Sequence, residues 1–523
     1  MARTAPARAT TASRPPSRAK LCAFRLVAAV GLPLLLLVAL ELGLRLVGFG
    51  HATAFLLPDR ISGQEVWISN PRFGWRFFGA QQARTPLTVS IPKRKPPETV
   101  RVFVYGESAA YGDPQPDFGL PRVLQALLSE RFPRTRFEVV NAAMTAINSH
   151  VALPIARDCA KADGDIWVIY LGNNEVVGPF GAGTVFGSQT PSLATIRATL
   201  VLKQTRIGQL LNAAVRRLKS PPADKAEWGG LAMFMDNQVS WNDARLAKTY
   251  DHFERNLRDV IAAGRKAGVG LVVSTVAVNL KDCAPFASAP LAGLSQEQQT
   301  RWREWVQRGA QAREAGRFAE ALDCFRQADQ IKGGVAELEF QRGHCELALA
   351  NTTQARGHFS RARDLDTLRF RCDSRLNDTI RRVAGGRERD RVLLADAELA
   401  LARRSPNGIA GAECFYEHVH LTFEGNYWLA RTLAASVEAL LPEDVRLQAG
   451  VKQEWASLDQ CARRLGWSDW ARQVALAEIL GRLNDPPFTQ QSDHAWHLAR
   501  LGAELNALPP SPALLQDGDA RCR

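Results

Sequence analysis

Five short apolar runs most constrain what this 523-residue chain can fold into. They are residues 100–105 (VRVFVY), 137–141 (FEVVN), 166–171 (IWVIYL), 269–276 (VGLVVSTV) and 391–395 (RVLLA). Each is rich in β-branched residues and apolar almost throughout, the pattern of a strand covered on both faces. Helical stretches separate them. Residues 120–132 and 244–267 carry apolar side chains at helical spacing, and the second stretch ends at Gly268. This alternation predicts an α/β fold, a flavodoxin-like three-layer α/β/α parallel sheet. In such sheets ligands bind beyond the C-terminal ends of the strands.

Three polar segments fall at those ends. The first run leads into Gly106-Glu107-Ser108-Ala109. A serine just past a strand and heading into a helix is a candidate nucleophile, although a serine there also serves as a helix N-cap. Ala110 stands where the GxSxG elbow of α/β-hydrolases needs its second glycine, so that elbow is not met. The third run ends in Leu171-Gly172-Asn173-Asn174-Glu175, where an asparagine amide can donate to an oxyanion or simply shape a turn. Much later comes Glu417-His418-Val419-His420. A carboxylate three residues before a histidine can orient the imidazole and stabilise its protonated form. Two surface histidines near a helix start are the alternative. With no clear third ligand, neither a metal nor any other cofactor is expected.

Together the three segments resemble the SGNH (GDSL-like) hydrolase family. Gly106-Glu107-Ser108 is similar to its first block (GDS), and Gly172-Asn173-Asn174-Glu175 to its GxND block. Asn141-Ala142-Ala143-Met144-Thr145-Ala146 resembles the turn after its second strand, and Glu417 to His420 its DxxH block. The resemblance implies that Ser108 attacks an acyl carbon, with His420 as base and Glu417 as its orienter. It further implies an oxyanion hole made of the Ser108 and Ala146 backbone N–H groups and the Asn174 side chain. The departures are glutamate for aspartate at 107, 175 and 417, and alanine for glycine at 146. The first two glutamates are expected to be structural. At 417 the extra methylene adds ~1.2–1.5 Å of reach, and a misplacement of ~1 Å can cost about 100-fold in rate.

Around this domain, residues 1–25 carry Arg3, Arg8, Arg14, Arg18, Lys20 and Arg25 with no acid, six of the thirteen net positive charges. Such a tail cannot bury a core and is expected to be disordered. Residues 26–47 are long and apolar enough for a transmembrane helix, interrupted by Glu41 and Arg45, which can pair four residues apart. The basic flank places the N-terminus in the cytoplasm and the rest outside, in the periplasm for a Gram-negative cell. A cleaved signal peptide is the rival reading, with Ala52-Thr53-Ala54 as its cleavage site.

The expected order is then a linker and N-terminal segment at 48–97 and a hydrolase domain split into 98–295 and 368–441. A helical insert occupies 296–367 and a helical C-terminal extension 442–523. The insert repeats itself: Ala321 and Ala355, like Phe325 and Phe359, lie 34 residues apart. That period, with small residues at Gly309 and Gly343, resembles tetratricopeptide repeats. Its expected role is packing or the binding of a protein or glycan. Arg371 and Arg375, after the insert, are either substrate contacts or part of an ion-pair cluster. The nine cysteines have irregular spacing and no zinc pattern. Cys324 and Cys345 look like core residues, and a bridge between Cys283 and Cys414 is conceivable. With no basic stripe interleaved with aromatics, nucleic acid is not expected as a partner.

These features predict a membrane-anchored serine esterase or O-acyltransferase acting on acyl esters or acylated glycans outside the cytoplasm. The alternative is a degenerate envelope scaffold whose repeats bind a protein.

Overall fold

The computed structural model describes residues 18–219, 228–447 and 454–509. Most of the basic tail, Cys522 and the last dozen residues lie outside them. The chain divides into two compact units, one of residues 1–51 with 197–221 and one of residues 52–196 with 222–523.

The larger unit is built on a five-stranded parallel sheet. Its strands are β4 (Thr99–Gly106), β5 (Arg136–Asn141), β6 (Ile166–Tyr170), β7 (Gly270–Ser274) and β8 (Val392–Ala395), in the order β5-β4-β6-β7-β8. β4, β6 and β7 are buried along their whole length, which is why they read as unbroken apolar runs. Helices Leu120–Arg131 and Phe423–Leu440 pack on each other and on the sheet. Ser149–Cys159, Ala244–Lys266 and Ser374–Ala384 form a second such group, giving three layers. Phe103, Tyr105 and Trp167 are almost wholly buried between them, with the Tyr105 and Trp167 rings 5.1 Å apart. Burying aromatics of this size contributes roughly 4–6 kcal/mol each before conformational entropy.

Ahead of this sheet lies a small antiparallel one, β1 (Leu56–Ile61), β2 (Gln64–Ser69) and β3 (Ser90–Pro92), where the sequence suggested a linker. β1 is mostly exposed and carries Pro58 and Asp59, so neither an apolar run nor clean alternation marks it. Fully buried Arg101 on β4 binds Glu138 (2.6 Å) and the Pro92 carbonyl (3.0 Å), tying the small sheet to the large one.

Four helices, Gln296–Glu314, Phe318–Ile331, Ala336–Ala348 and Thr352–Leu365, lie between β7 and helix Ser374–Ala384, which leads to β8. They pack as successive antiparallel pairs. A Cβ on Gly309 would lie 2.4 Å from the Phe325 ring, and one on Gly343 2.8 Å from Phe359. Each glycine thus makes room for the phenylalanine of its own pair. Cys324 and Cys345 are buried, whereas Cys283 and Cys414 are both free thiols. The conceivable bridge is not formed: Cys283 Sγ accepts from Gln491 Nε2 at 3.5 Å, and Cys414 Sγ lies 3.9 Å from Ser405 Oγ.

The C-terminal extension forms helices Leu458–Leu465, Asp469–Leu483 and His494–Asn506. Leu476, Ile479, Leu483 and Phe488 join Phe286 and Phe370 in one buried cluster, so the extension packs onto the rest of the larger unit.

In the smaller unit, Leu21–Leu46 is a 26-residue helix long and apolar enough to cross a membrane, and none of its most apolar stretch is buried. That composition fits an anchor or a signal sequence equally. Glu41 and Arg45 pair at 2.8 Å, as their spacing suggested.

Candidate active site

The end of β4 is shaped by what cannot fit there. A Cβ on Gly106 would lie 2.1 Å from the Tyr170 carbonyl and 2.4 Å from Ala110 Cβ, so only glycine lets β4 run beside β6 and then turn. The helix that follows is a single turn, Ser108–Tyr111, so its dipole lends the serine little. Ser108 is half-buried at its start.

Glu107 places the neighbouring loop. Its carboxylate accepts the N–H groups of Gly172 (3.2 Å), Asn173 (2.6 Å) and Asn174 (2.9 Å). Burial pushes this carboxyl up to about 7 against the pull of those three donors. Asn173 is spent on structure, its Oδ1 accepting from Cys372 N at 3.0 Å, which leaves Asn174 on the cavity wall. Glu175 holds Ser149 through N (2.7 Å) and Oγ (2.8 Å), and burial together with Glu107 raises it to about 8. Both glutamates therefore brace loops that flank Ser108.

The segment after β5 runs along the same turn. Met144 N donates to the Gly106 carbonyl (3.2 Å), and Asn141 Nδ2 donates to the Tyr111 carbonyl (2.9 Å). Ala146 has φ 61°, in the left-handed region that glycine favours. Alanine meets this backbone requirement at a cost of about 1–2 kcal/mol.

The last segment is pinned by Asn279, which donates to the Glu417 carbonyl (2.8 Å) and the His418 carbonyl (3.0 Å) from Nδ2 and N respectively. Glu417 Oε1 is hydrogen-bonded to His420 Nδ1, so the longer side chain reaches its histidine. The same carboxylate also accepts N–H groups of its own loop, from Val419 and His420, each at 3.3 Å. Burial would raise Glu417, but the imidazoles of His418 and His420 outweigh it and hold the carboxyl well below its usual range. Burial, in turn, disfavours charge on His420, yet Glu417 and Asp113 outweigh it and raise its pKa. His418 sits among Phe286, Phe370 and Phe488, and burial lowers its pKa.

Ser108, Ala146, Asn174 and His420 all border one cavity of about 240 Å³. Among the cavity residues not picked out from sequence are Asp113, Arg482 and Arg84. Asp113 Oδ2 faces His420 Nε2 at 3.2 Å, without a hydrogen bond to it. Arg482, on the extension, grips Asp113 with two hydrogen bonds of 2.7 and 2.9 Å. Arg84 donates to Thr145 Oγ1 (3.0 Å) and lies over the Trp228 ring at 4.9 Å. Burial and the nearby Arg482 lower the Arg84 pKa, although Asp113 pulls the other way. No local pattern could have found Arg482, since its partner lies 369 residues away.

Arg371 and Arg375 do not border this cavity. Arg371 is buried on Asp366 (3.2 Å) and on the carbonyls of Asn279 (3.1 Å) and Cys283 (2.9 Å). Arg375 stacks over Tyr250 at 4.3 Å. Arg371 is thus engaged by the protein's own groups, whereas Arg375 is exposed away from the cavity. Glu417, His418 and His420 bring their ligand atoms within 4.8 Å of one another, so they could hold a metal ion. This is the third ligand the sequence did not reveal.

No family model and no curated protein matches the chain. Among solved structures it is similar to an acetyl xylan esterase, at 12% identity over 65% of this chain and 100% of that one, with a TM-score of 0.28. What the cavity does must therefore be read from its side chains.

Proposed function

We propose that this chain is a serine esterase or O-acyltransferase of the SGNH type. One observation carries the reading. A half-buried serine, a backbone N–H in a left-handed turn, an asparagine amide and a carboxylate-held histidine all meet on a single cavity. That donor set matches what acyl transfer needs: a nucleophile, a base with an orienter, and dipoles aimed at the developing oxyanion.

In this mechanism Ser108 Oγ attacks the ester carbonyl while His420 Nε2 takes the hydroxyl proton. Glu417 holds Nδ1 and stabilises the imidazolium. The N–H groups of Ser108 and Ala146 and the Asn174 amide receive the oxyanion. His420 then protonates the leaving alcohol, and an acyl-serine remains. Water or a carbohydrate hydroxyl, deprotonated by His420, attacks that acyl group and regenerates Ser108. Trp228, Phe234, Phe370 and Phe488 give the cavity aromatic walls, which suit the face of a sugar ring and favour an acylated glycan. The apolar helix is read as an anchor that keeps the enzyme at the outer face of a membrane. The paired helices of the insert are read as tetratricopeptide-like, a platform for a protein partner.

The test is labelling of the detergent-solubilised protein with a fluorophosphonate. Wild type should label and Ser108→Ala should not. Equal labelling of both would refute the proposal. One observation favours the alternative of a degenerate scaffold: His420 Nε2 lies 3.2 Å from Asp113 and makes no hydrogen bond to the serine hydroxyl. A wild-type protein that neither labels nor cleaves acetylated glycans would support that reading.

A further inference from the structure

We infer that helix Arg206–Lys219 is an interfacial helix lying in the lipid headgroup region, and that it is bolted to the Leu21–Leu46 helix as one anchoring device. Its sequence, RIGQLLNAAVRRLK, has four basic residues and no acidic one. Ile207, Leu210, Leu211, Ala214 and Val215 recur at helical spacing and form one apolar stripe. The stripe is not spent on a protein core: Leu210, Leu211 and Val215 are 38%, 53% and 48% exposed. A basic helix with an uncovered apolar face is the composition of a helix that rests on an anionic bilayer surface.

The attachment is polar and specific. Both oxygens of Glu41 accept backbone N–H groups at the start of this helix, from Arg206 (3.0 Å) and Ile207 (3.0 Å). They satisfy two donors that a helix N-terminus leaves without partners. Gln209 clasps the backbone of His51 on both sides, accepting from N (2.9 Å) and donating to O (3.0 Å). Gly208 permits the fit, since a Cβ there would lie 1.9 Å from the Leu202 carbonyl.

Depth follows from geometry. A 26-residue helix is about 39 Å long and overshoots a hydrocarbon core of ~30 Å by several ångströms at each end. Glu41 lies about 7–8 Å from the Leu46 end, hence near the edge of that core. The helix it caps starts at the same level, where an amphipathic helix is most stable. This contact also argues for retention of the N-terminal helix, because cleavage at Ala52-Thr53-Ala54 would remove Glu41 and strand the N–H groups it satisfies.

The experiment uses the full chain reconstituted in phosphatidylethanolamine–phosphatidylglycerol vesicles, with a photoreactive residue at one position at a time. Leu211→p-benzoylphenylalanine should form phospholipid adducts on illumination, several-fold above Ala213→p-benzoylphenylalanine, roughly 200° round the helix. Leu34→p-benzoylphenylalanine, within the spanning helix, is the positive control. Adducts at 34 but not above background at 211, including capture of protein at 211, would overturn the inference and leave the anchor intact. Adducts at neither position would overturn both. Intact mass of the purified protein should include residue 41, and its absence would also overturn the inference.

Discussion

His420 stands between two carboxylates, and under the proposed mechanism their balance sets the pH at which it acts as a base. Glu417 on Nδ1 and Asp113 opposite Nε2 together raise its pKa despite burial. The acid limb of kcat/KM, which follows the free enzyme's histidine, should therefore lie above the ordinary histidine value near 6.5. Asp113→Asn removes one of the two charges and should move that limb to lower pH. Arg482→Met frees Asp113 from its counter-charge and should move it to higher pH. Opposite displacements in a pair of pH–rate profiles would establish the arrangement, and shifts of the same sign would refute it. Linkage gives a second sign. Glu417 is depressed below its unfolded value near 4.5, so its stabilisation is present above that pH and fades as pH falls through the folded value. Glu417→Gln should flatten the acid side of the stability curve in urea melts. At Ala146, glycine would relieve the left-handed strain. Ala146→Gly should stabilise by up to about 1 kcal/mol, the relieved strain less the extra freedom glycine gives the unfolded chain, without loss of rate, because the proposed donor is a backbone N–H. The residues of the proposed chemistry were legible because Ser108 and Asn174 follow strand ends and Glu417 and His420 share one short local pattern. Asp113 and Arg482 were not, because what matters about them is a meeting across hundreds of residues.

At the scale of elements, legibility followed burial on both faces. The five parallel strands announced themselves as apolar runs, since no position along the three central ones faces water. The antiparallel strands Leu56–Ile61, Gln64–Ser69 and Ser90–Pro92 gave no such signal, being half exposed and held partly by Arg101. The insert was visible as a repeat because its helix pairs solve one packing problem twice. Phe325 is fully buried against Gly309. Phe325→Ala should cost about 3–5 kcal/mol, seen as a lowered midpoint in denaturant melts, since the surrounding helices cannot collapse fully into the space.

For the larger unit as a whole, the cavity is a joint product of distant stretches of chain. The sheet supplies Ser108 and Asn174, the loop before Phe423–Leu440 supplies His420, and the C-terminal extension supplies Arg482 and Phe488. Trimming the protein after helix Phe423–Leu440, near residue 441, would keep every residue that the sequence singled out for the proposed chemistry. It would also open one side of the cavity to bulk water, leave Asp113 to face His420 alone, and uncover the apolar cluster of Phe286 and Phe370. Such a fragment would be a poor guide to the whole protein. Its histidine would hold its proton too tightly, its aromatic surface would invite aggregation, and its silence in an assay would say nothing about the parent chain.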